Sequence, residues 1–202
     1  MHGRAGKELL ELVRGTFKIL LVLATPISCG LPFVADDIVP LLYGDSFVEA
    51  VPVLVLLGLS LPFAFGNLFL FNVLAGIREH QRMMYVSMVG TGLGIALFWL
   101  GIEYGGVKGA SVAYLLTVIL LASLYFVVCW QRLGFPLRRW DLARIGACNL
   151  IMVTVLWAIG NMGMAVVISV GAVVYVVAVF SLRLIAWNEM RAVFRPRRSG
   201  ES

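Results

Sequence analysis

The residue types that could do chemistry are few in this sequence and stand apart from one another. Asp36 and Asp37 are adjacent carboxylates of a kind that could hold a metal ion against a diphosphate. No second acidic cluster follows them at a usable spacing, so a polar helix end is the commoner explanation. Residues 90–94 read GTGLG, which is nucleotide-like only out of context, because no strand precedes them. We therefore predict no catalytic residue, no metal site and no cofactor.

The cysteines and histidines also lack the spacing of a metal or redox site. Cys29, Cys129 and Cys148 lie in apolar runs without a CxxC pair, which is typical of small buried side chains. His2 and His80 are too few and too scattered to hold a metal ion. The sequence contains no HExxH, nucleophile-elbow or P-loop pattern. We expect a protein that is not an enzyme.

The composition indicates that lipid surrounds much of this chain. Apolar residues make up 61% of the 202 residues and charged residues only 13%, whereas soluble domains carry about 25% charged residues. Such a chain has too little polar surface to coat a soluble core. Its net charge of +5 is spread over loops, so we predict no nucleic-acid partner.

Six apolar segments are each long enough to cross a bilayer, which takes roughly 20 helical residues. They must be helices, because lipid offers no partners to an open strand. The sequence predicts an all-α, polytopic membrane bundle with six transmembrane helices and a polar, amphipathic lead-in at 1–16. The predicted spans are 17–36, 50–75, 83–102, 107–130, 143–161 and 163–187.

The basic residues predict the orientation of this bundle. Fifteen of the 16 Lys and Arg residues lie in the lead-in or at the start of the first span, in or beside alternate loops, or at and after the end of the sixth span; the exception is Lys108. Basic residues accumulate in cytoplasmic loops, so both termini are predicted to be cytoplasmic. No Asp, Glu, Lys or Arg falls near the centre of a predicted span, so no ion path of the usual kind is expected.

Small residues predict a close hairpin between the third and fourth spans. Gly90 and Gly94 form a small-xxx-small pair, and Gly106, Ala110 and Ala113 lie close to one stripe of the next helix. Such residues let helix backbones approach each other in lipid.

Four prolines interrupt the first two spans, at Pro26, Pro32, Pro52 and Pro62. Each is expected to remove an intrahelical hydrogen bond and to bend or loosen its helix. They could be hinges for alternating access, as in many transporters. They could equally be ordinary, because transmembrane helices carry more proline than soluble ones.

Three polar residues near the cytoplasmic end of the second span are candidates to line a cavity, namely Asn67, Asn72 and Arg78. The two asparagines lie about 140° apart around a helix, so they do not share one face. Interhelical hydrogen bonding is the favoured interpretation of such amides, at roughly 1 kcal/mol each.

Several weak motifs together resemble a known family. VPLLYGDSFVEAVPVLVLLGLSLPF, NVLAGIREHQ and EYGGVKGASVAYLL are similar, in this order, to the helix 9–10 region, the helix 10 exit and the helix 12 entry of polysaccharide flippases. These belong to the multidrug/oligosaccharidyl-lipid/polysaccharide exporter superfamily. The resemblance covers about residues 7–132.

The resemblance implies a transporter that moves a lipid-linked oligosaccharide across a cell membrane, most naturally a prokaryotic plasma membrane, by alternating access. Residues 17–132 would be a four-helix part of its C-terminal lobe, and 133–190 a C-terminal hairpin. The N-terminal lobe would then be a missing partner. The alternative is a small integral-membrane assembly or anchoring protein with the basic tail as its docking surface. An intramembrane enzyme acting on polyprenyl phosphates is disfavoured, since paired catalytic carboxylates are lacking.

Overall fold

All regular structure that the computed structural model describes is helical; the described residues are 4–134, 139–159, 163–182 and 184, with the backbone alone at 4–8 and 139. Within these ranges five helices are long and apolar enough to cross a membrane, which confirms an all-α membrane bundle. Two short 3₁₀ turns, Leu31–Phe33 and Asp45–Ala50, flank α2. The helices are α1 Arg4–Gly30, α2 Ala35–Tyr43, α3 Val51–Gly76, α4 His80–Leu133, α5 Arg139–Ile159 and α6 Met164–Ser181.

Helix α4 supplies two spans because it folds back on itself at Gly106. This glycine has φ +55° and ψ −135°, a backbone conformation that side chains disfavour. The first arm (80–105) and the second arm (107–133) run antiparallel. The hydroxyl groups of Ser87 and Tyr125 lie 2.8 Å apart, and the backbones of Gly101 and Gly109 touch near the turn. With the two arms counted separately, the described parts of the chain contain six spans, which is the predicted number.

Contacting residues fix the direction of each remaining span. Helices α1 and α3 are antiparallel, and α1 and α5 are parallel. Helix α6 is antiparallel to both α1 and α5. Arg4 and Ser181, where α1 begins and α6 ends, therefore lie at the same end of the bundle. The contacts are Phe17–Phe69, Leu31–Gly58, Lys18–Asp141, Thr25–Asn149, Val22–Tyr175 and Leu156–Gly171.

The two ends of the bundle differ in charge. The end at which α1 begins, here called the basic end, carries Arg14, Arg78, Arg82, Arg132 and Arg144. The opposite end, the acidic end, carries Asp36, Asp37, Asp45, Glu49 and Glu103, with Lys108 as its basic residue among the described side chains. The alternation expected from the loops is thus present in space. Which compartment the basic end faces stays a prediction.

Helix α1 lies between two apolar cores and contributes to both. Its Phe17 packs with Leu70 and Leu74 of α3 in a core that α4 completes. Its Val22 packs on the other side, in a core built mainly from α5 and α6. Since the contacts of α1 extend to α3, α5 and α6, this helix joins the α3–α4 part to the α5–α6 hairpin.

The structure corrects the predicted first span, 17–36. Helix α1 begins at Arg4, so it is continuous with the predicted lead-in, and it ends at Gly30. The charged residues of the amphipathic lead-in placed the start of the predicted span at residue 17, but Arg14 and Lys18 are good helix formers and the helix extends through them. Pro32 lies in the 3₁₀ turn Leu31–Phe33, which follows the end of α1. The last two predicted spans correspond to α5 and α6, and the basic tail lies outside the described residues.

The predicted hairpin of small residues is confirmed, and glycines carry it. A side chain at Gly90 or Gly94 would collide with Leu121 or Thr117 of the second arm. At Gly109 an added Cβ atom would collide with the backbone carbonyl of Gly101, which cannot rotate away as a flexible side chain can.

We therefore expect Gly109→Ala to lower the free energy of unfolding by about 2 kcal/mol, because the two arms must separate to fit the methyl group. Gly92→Ala is the matched control, since no atom of a neighbouring element lies within 4 Å of a Cβ atom there. Thermal unfolding in detergent micelles measures both. Equal stability of the two variants would contradict the close approach of the arms.

Candidate functional site

A buried charge lies on the face of α1 that meets α5. The ammonium nitrogen of Lys18 is 3.6 Å from a carboxylate oxygen of Asp141, in the first turn of α5. Lys18 is only 7% exposed, although it is the fifteenth residue of the 27-residue helix α1. Lys18 is the second residue of the predicted span 17–36, so it does not contradict the expectation that no charge falls near the centre of a predicted span.

Hydrogen bonds continue this contact along the same stripe of α1. The amide nitrogen of Asn149 on α5 donates to the hydroxyl of Thr25 over 3.0 Å. The hydroxyl of Tyr175 on α6 donates to the carbonyl oxygen of Val22 over 2.8 Å. Positions 18, 22 and 25 follow the spacing of one helical face, so we call these contacts the polar seam.

The polar seam positions helices more than it stabilises them. A buried ion pair gains in Coulomb energy about what its ions lose in hydration, so it is weak evidence for stability. Asp141 also lies in the first turn of α5, where a negative side chain offsets the helix dipole. Removing one partner leaves the other charge in a poorly solvated site, so the pair fixes the register of α5 on α1.

An apolar cavity of about 420 Å³ lies beyond the polar seam, toward the acidic end. Pro26 and Gly30 of α1 form one wall, and α5 and α6 form the opposite wall. Apart from the Tyr175 hydroxyl, which is bonded to Val22, its side-chain lining is hydrocarbon or sulfur. The other lining residues are Ile27, Leu31, Val34, Ile38, Met152, Leu156, Val167, Ile168, Gly171, Ala172 and Val176.

The structure does not bring the three polar candidates of α3 and its exit into one cavity. The amide nitrogen of Asn67 donates to the carbonyl oxygen of Val118 on the second arm, over 3.0 Å. That of Asn72 donates to Leu68 within its own helix. Arg78 is exposed in the turn after α3. Asn67 is therefore an interhelical contact, as favoured from the sequence, and its cavity role stays a prediction.

The four prolines occupy different structural positions. Pro26 and Pro62 lie inside α1 and α3, where each lacks the N–H of an intrahelical hydrogen bond. Pro32 is the second residue of the 3₁₀ turn Leu31–Phe33, and Pro52 lies in the first turn of α3, where proline is well tolerated. The expectation of a lost intrahelical bond is wrong for Pro52. Only Pro26 of the four lines the cavity, and the hinge hypothesis stays a prediction.

The adjacent carboxylates Asp36 and Asp37 are exposed in the first turn of α2. Negative side chains are favourable at a helix N-terminus, because they offset its dipole. Among the described residues, no three His, Cys, Asp or Glu side chains come together as metal ligands.

A scan against protein-family models and searches of curated proteins and of solved structures each found no match. The geometry of the chain itself therefore carries the functional argument. Sequence reasoning missed Lys18 and Asp141 because it assigned both to flanking loops. The sequence did contain an indication that Lys18 belongs to a helix: apolar residues, Phe17 and Ile19, stand on both sides of it.

We expect Asp141→Asn to lower the free energy of unfolding by about 3 kcal/mol, because the buried Lys18 ammonium then loses its carboxylate. Adding Lys18→Met should recover most of this loss, since the pair is then neutral. Glu103→Gln, at an exposed carboxylate of the acidic end, is the matched control and should change little. If the double variant is no more stable than Asp141→Asn, the charge is not the cause.

Proposed function

We propose that this chain is the C-terminal lobe of a lipid-linked oligosaccharide flippase, working by alternating access without covalent chemistry. The observation that carries the proposal is the apolar cavity between α1 and the α5–α6 hairpin. Its volume, about 420 Å³, is within the range of roughly 300–1,000 Å³ that small-ligand sites occupy.

The lining of this cavity favours a hydrocarbon chain over a sugar. Hydroxyl groups placed there would lose their hydrogen bonds to water, at a cost of roughly 2 kcal/mol or more each. A lipid tail loses nothing of this kind on entering from the bilayer. The cavity therefore suits the polyprenyl part of a lipid-linked glycan, and the glycan would be bound elsewhere.

The glycan and its diphosphate require polar groups, which are scarce in the interior of this bundle. In the described residues the buried polar or charged side chains are Lys18, Ser28, Ser60, Ser111 and Asn149. Of these, Lys18 and Asn149 already contact Asp141 and Thr25. The proposal therefore requires an N-terminal lobe that supplies the polar half of the substrate path.

Filling the cavity tests its role directly. We expect Ala172→Phe to reduce severalfold the amount of polyprenyl phosphate that copurifies with the chain, because the ring occupies the cavity. Val173→Phe is the matched control: Val173 is the next residue, is 62% exposed and faces away from the cavity. Native mass spectrometry of the purified chain with added polyprenyl phosphate measures the bound fraction. Equal binding by the two variants would remove the basis of the proposal.

The basic tail separates this proposal from an anchoring protein. Deletion of residues 191–202 should leave surface polysaccharide unchanged in cells that depend on the chain, because a flippase lobe does not need a docking tail. Loss of activity on this deletion, with normal amounts of the protein in the membrane, would favour the anchoring function.

A further inference from the structure

The turn between α3 and α4 places an arginine where glycine is usual. Arg78 has φ +59° and is the non-glycine residue with positive φ in the described chain. The N–H of Arg78 donates to Ala75 and that of Glu79 to Leu74, both over 3.1 Å. These two bonds form the Schellman motif that ends many helices, with Arg78 in the position that glycine normally takes. A left-handed arginine is unfavourable, so its side chain is retained at a cost.

The next residue, Glu79, holds two further arginines beside this turn. One of its carboxylate oxygens is 3.4 Å from Nε of Arg82, and the other is 3.0 Å from Nε of Arg132 at the end of the second arm. A second guanidinium nitrogen of Arg132 lies 3.4 Å from the same carboxylate. Charge-assisted contacts of this kind restrict both guanidinium groups to a defined separation.

The turn carries an excess of positive charge. Arg82 and Arg132 share the one carboxylate of Glu79, and Arg78 forms no ion pair with any carboxylate in the described parts of the chain. Arg82 and Arg132 keep about two fifths of their side-chain surface exposed, 42% and 41% respectively. Their remaining N–H groups can therefore donate to an anion while the contacts with Glu79 are kept.

The depth of the turn suits a lipid headgroup. The turn lies at the basic end of the bundle, where α3 ends. Trp130 of the second arm, two residues before Arg132, is 53% exposed at the same level. Tryptophan is enriched where headgroups meet the hydrocarbon layer. Phosphate groups of anionic lipids are found at this level, and arginine binds them through two parallel hydrogen bonds.

We propose that Arg78, placed by the turn, and Arg82 and Arg132, held by Glu79, form a binding site for the phosphate group of an anionic membrane lipid. The site is separate from the apolar cavity and does not depend on the proposed flippase function. The binding is specific to this turn, in contrast to a diffuse attraction of the whole basic end. The strained conformation of Arg78 is then explained by the charge that glycine could not supply.

A lipid-retention experiment tests this site. The chain is extracted from vesicles that contain equal amounts of phosphatidylglycerol and phosphatidylcholine, and the amounts of the two lipids that stay bound to it are compared. Native mass spectrometry counts the bound lipids. Arg78→Gly and Arg132→Gln should each reduce the retention of phosphatidylglycerol by about tenfold, the effect expected when one hydrogen bond to a charged group is lost. Because glycine suits the left-handed position, Arg78→Gly should be at least as stable as the natural chain, which excludes unfolding as the cause.

Two controls distinguish the site from diffuse attraction. Arg144→Gln removes an exposed arginine from the same end but from another helix, and it should leave retention unchanged. Glu79→Gln adds net positive charge but releases the two arginines, so the site predicts equal or weaker retention. An increase with Glu79→Gln, or an equal loss with Arg144→Gln, would overturn the proposal. Displacement of the lipid by inorganic phosphate at a similar concentration would also overturn it, since free phosphate would then be the ligand.

Discussion

The contact of α1 with its two neighbouring helix groups is the constraint on which the rest of this bundle depends. One face of α1 meets α3 through Phe17, stacked on Phe69 with ring centroids 5.6 Å apart. An adjoining face, roughly 100° around the helix, meets α5 and α6 through the polar seam, beginning at Lys18 and Asp141. In lipid, apolar surfaces gain little from burial against one another, so shape and polar contacts decide which helices associate. The seam therefore determines where the α5–α6 hairpin attaches.

Most other polar side chains in the spans are satisfied within their own helix. The hydroxyl groups of Ser123, Thr154 and Ser169 each donate to the carbonyl oxygen four residues earlier, and all three residues are exposed. Such a side chain can face hydrocarbon without leaving a donor unpaired. The exposed amide of Asn72 donates in the same way. Polar residues on the outer surface therefore do not by themselves mark a substrate path, whereas bonds between helices, such as that of Asn67, report real packing constraints.

The number and alternation of the spans could be predicted from the sequence, because hydrophobic length and the placement of arginine act locally and add along the chain. The close hairpin of α4 could be predicted as well, since Gly90 and Gly94 are spaced for it. The polar seam could not. Thr25 and Asn149 are 124 residues apart, and no spacing rule joins residues at that distance. The start of α1 was also missed, because charged residues can either begin a loop or extend a helix, and the partner at Asp141 decides between these outcomes.

The attachment of the α5–α6 hairpin to α1 differs along its length, and this difference has a physical consequence. Toward the basic end, separating the hairpin from α1 would bring Lys18 and Asn149 into contact with hydrocarbon without their partners, which is strongly unfavourable. Toward the acidic end the same helices are already separated by the apolar cavity. Lipid chains can replace the remaining contacts there with little loss, because those contacts are apolar. Opening of the bundle along this boundary is therefore least costly at the acidic end, with the polar seam as its pivot.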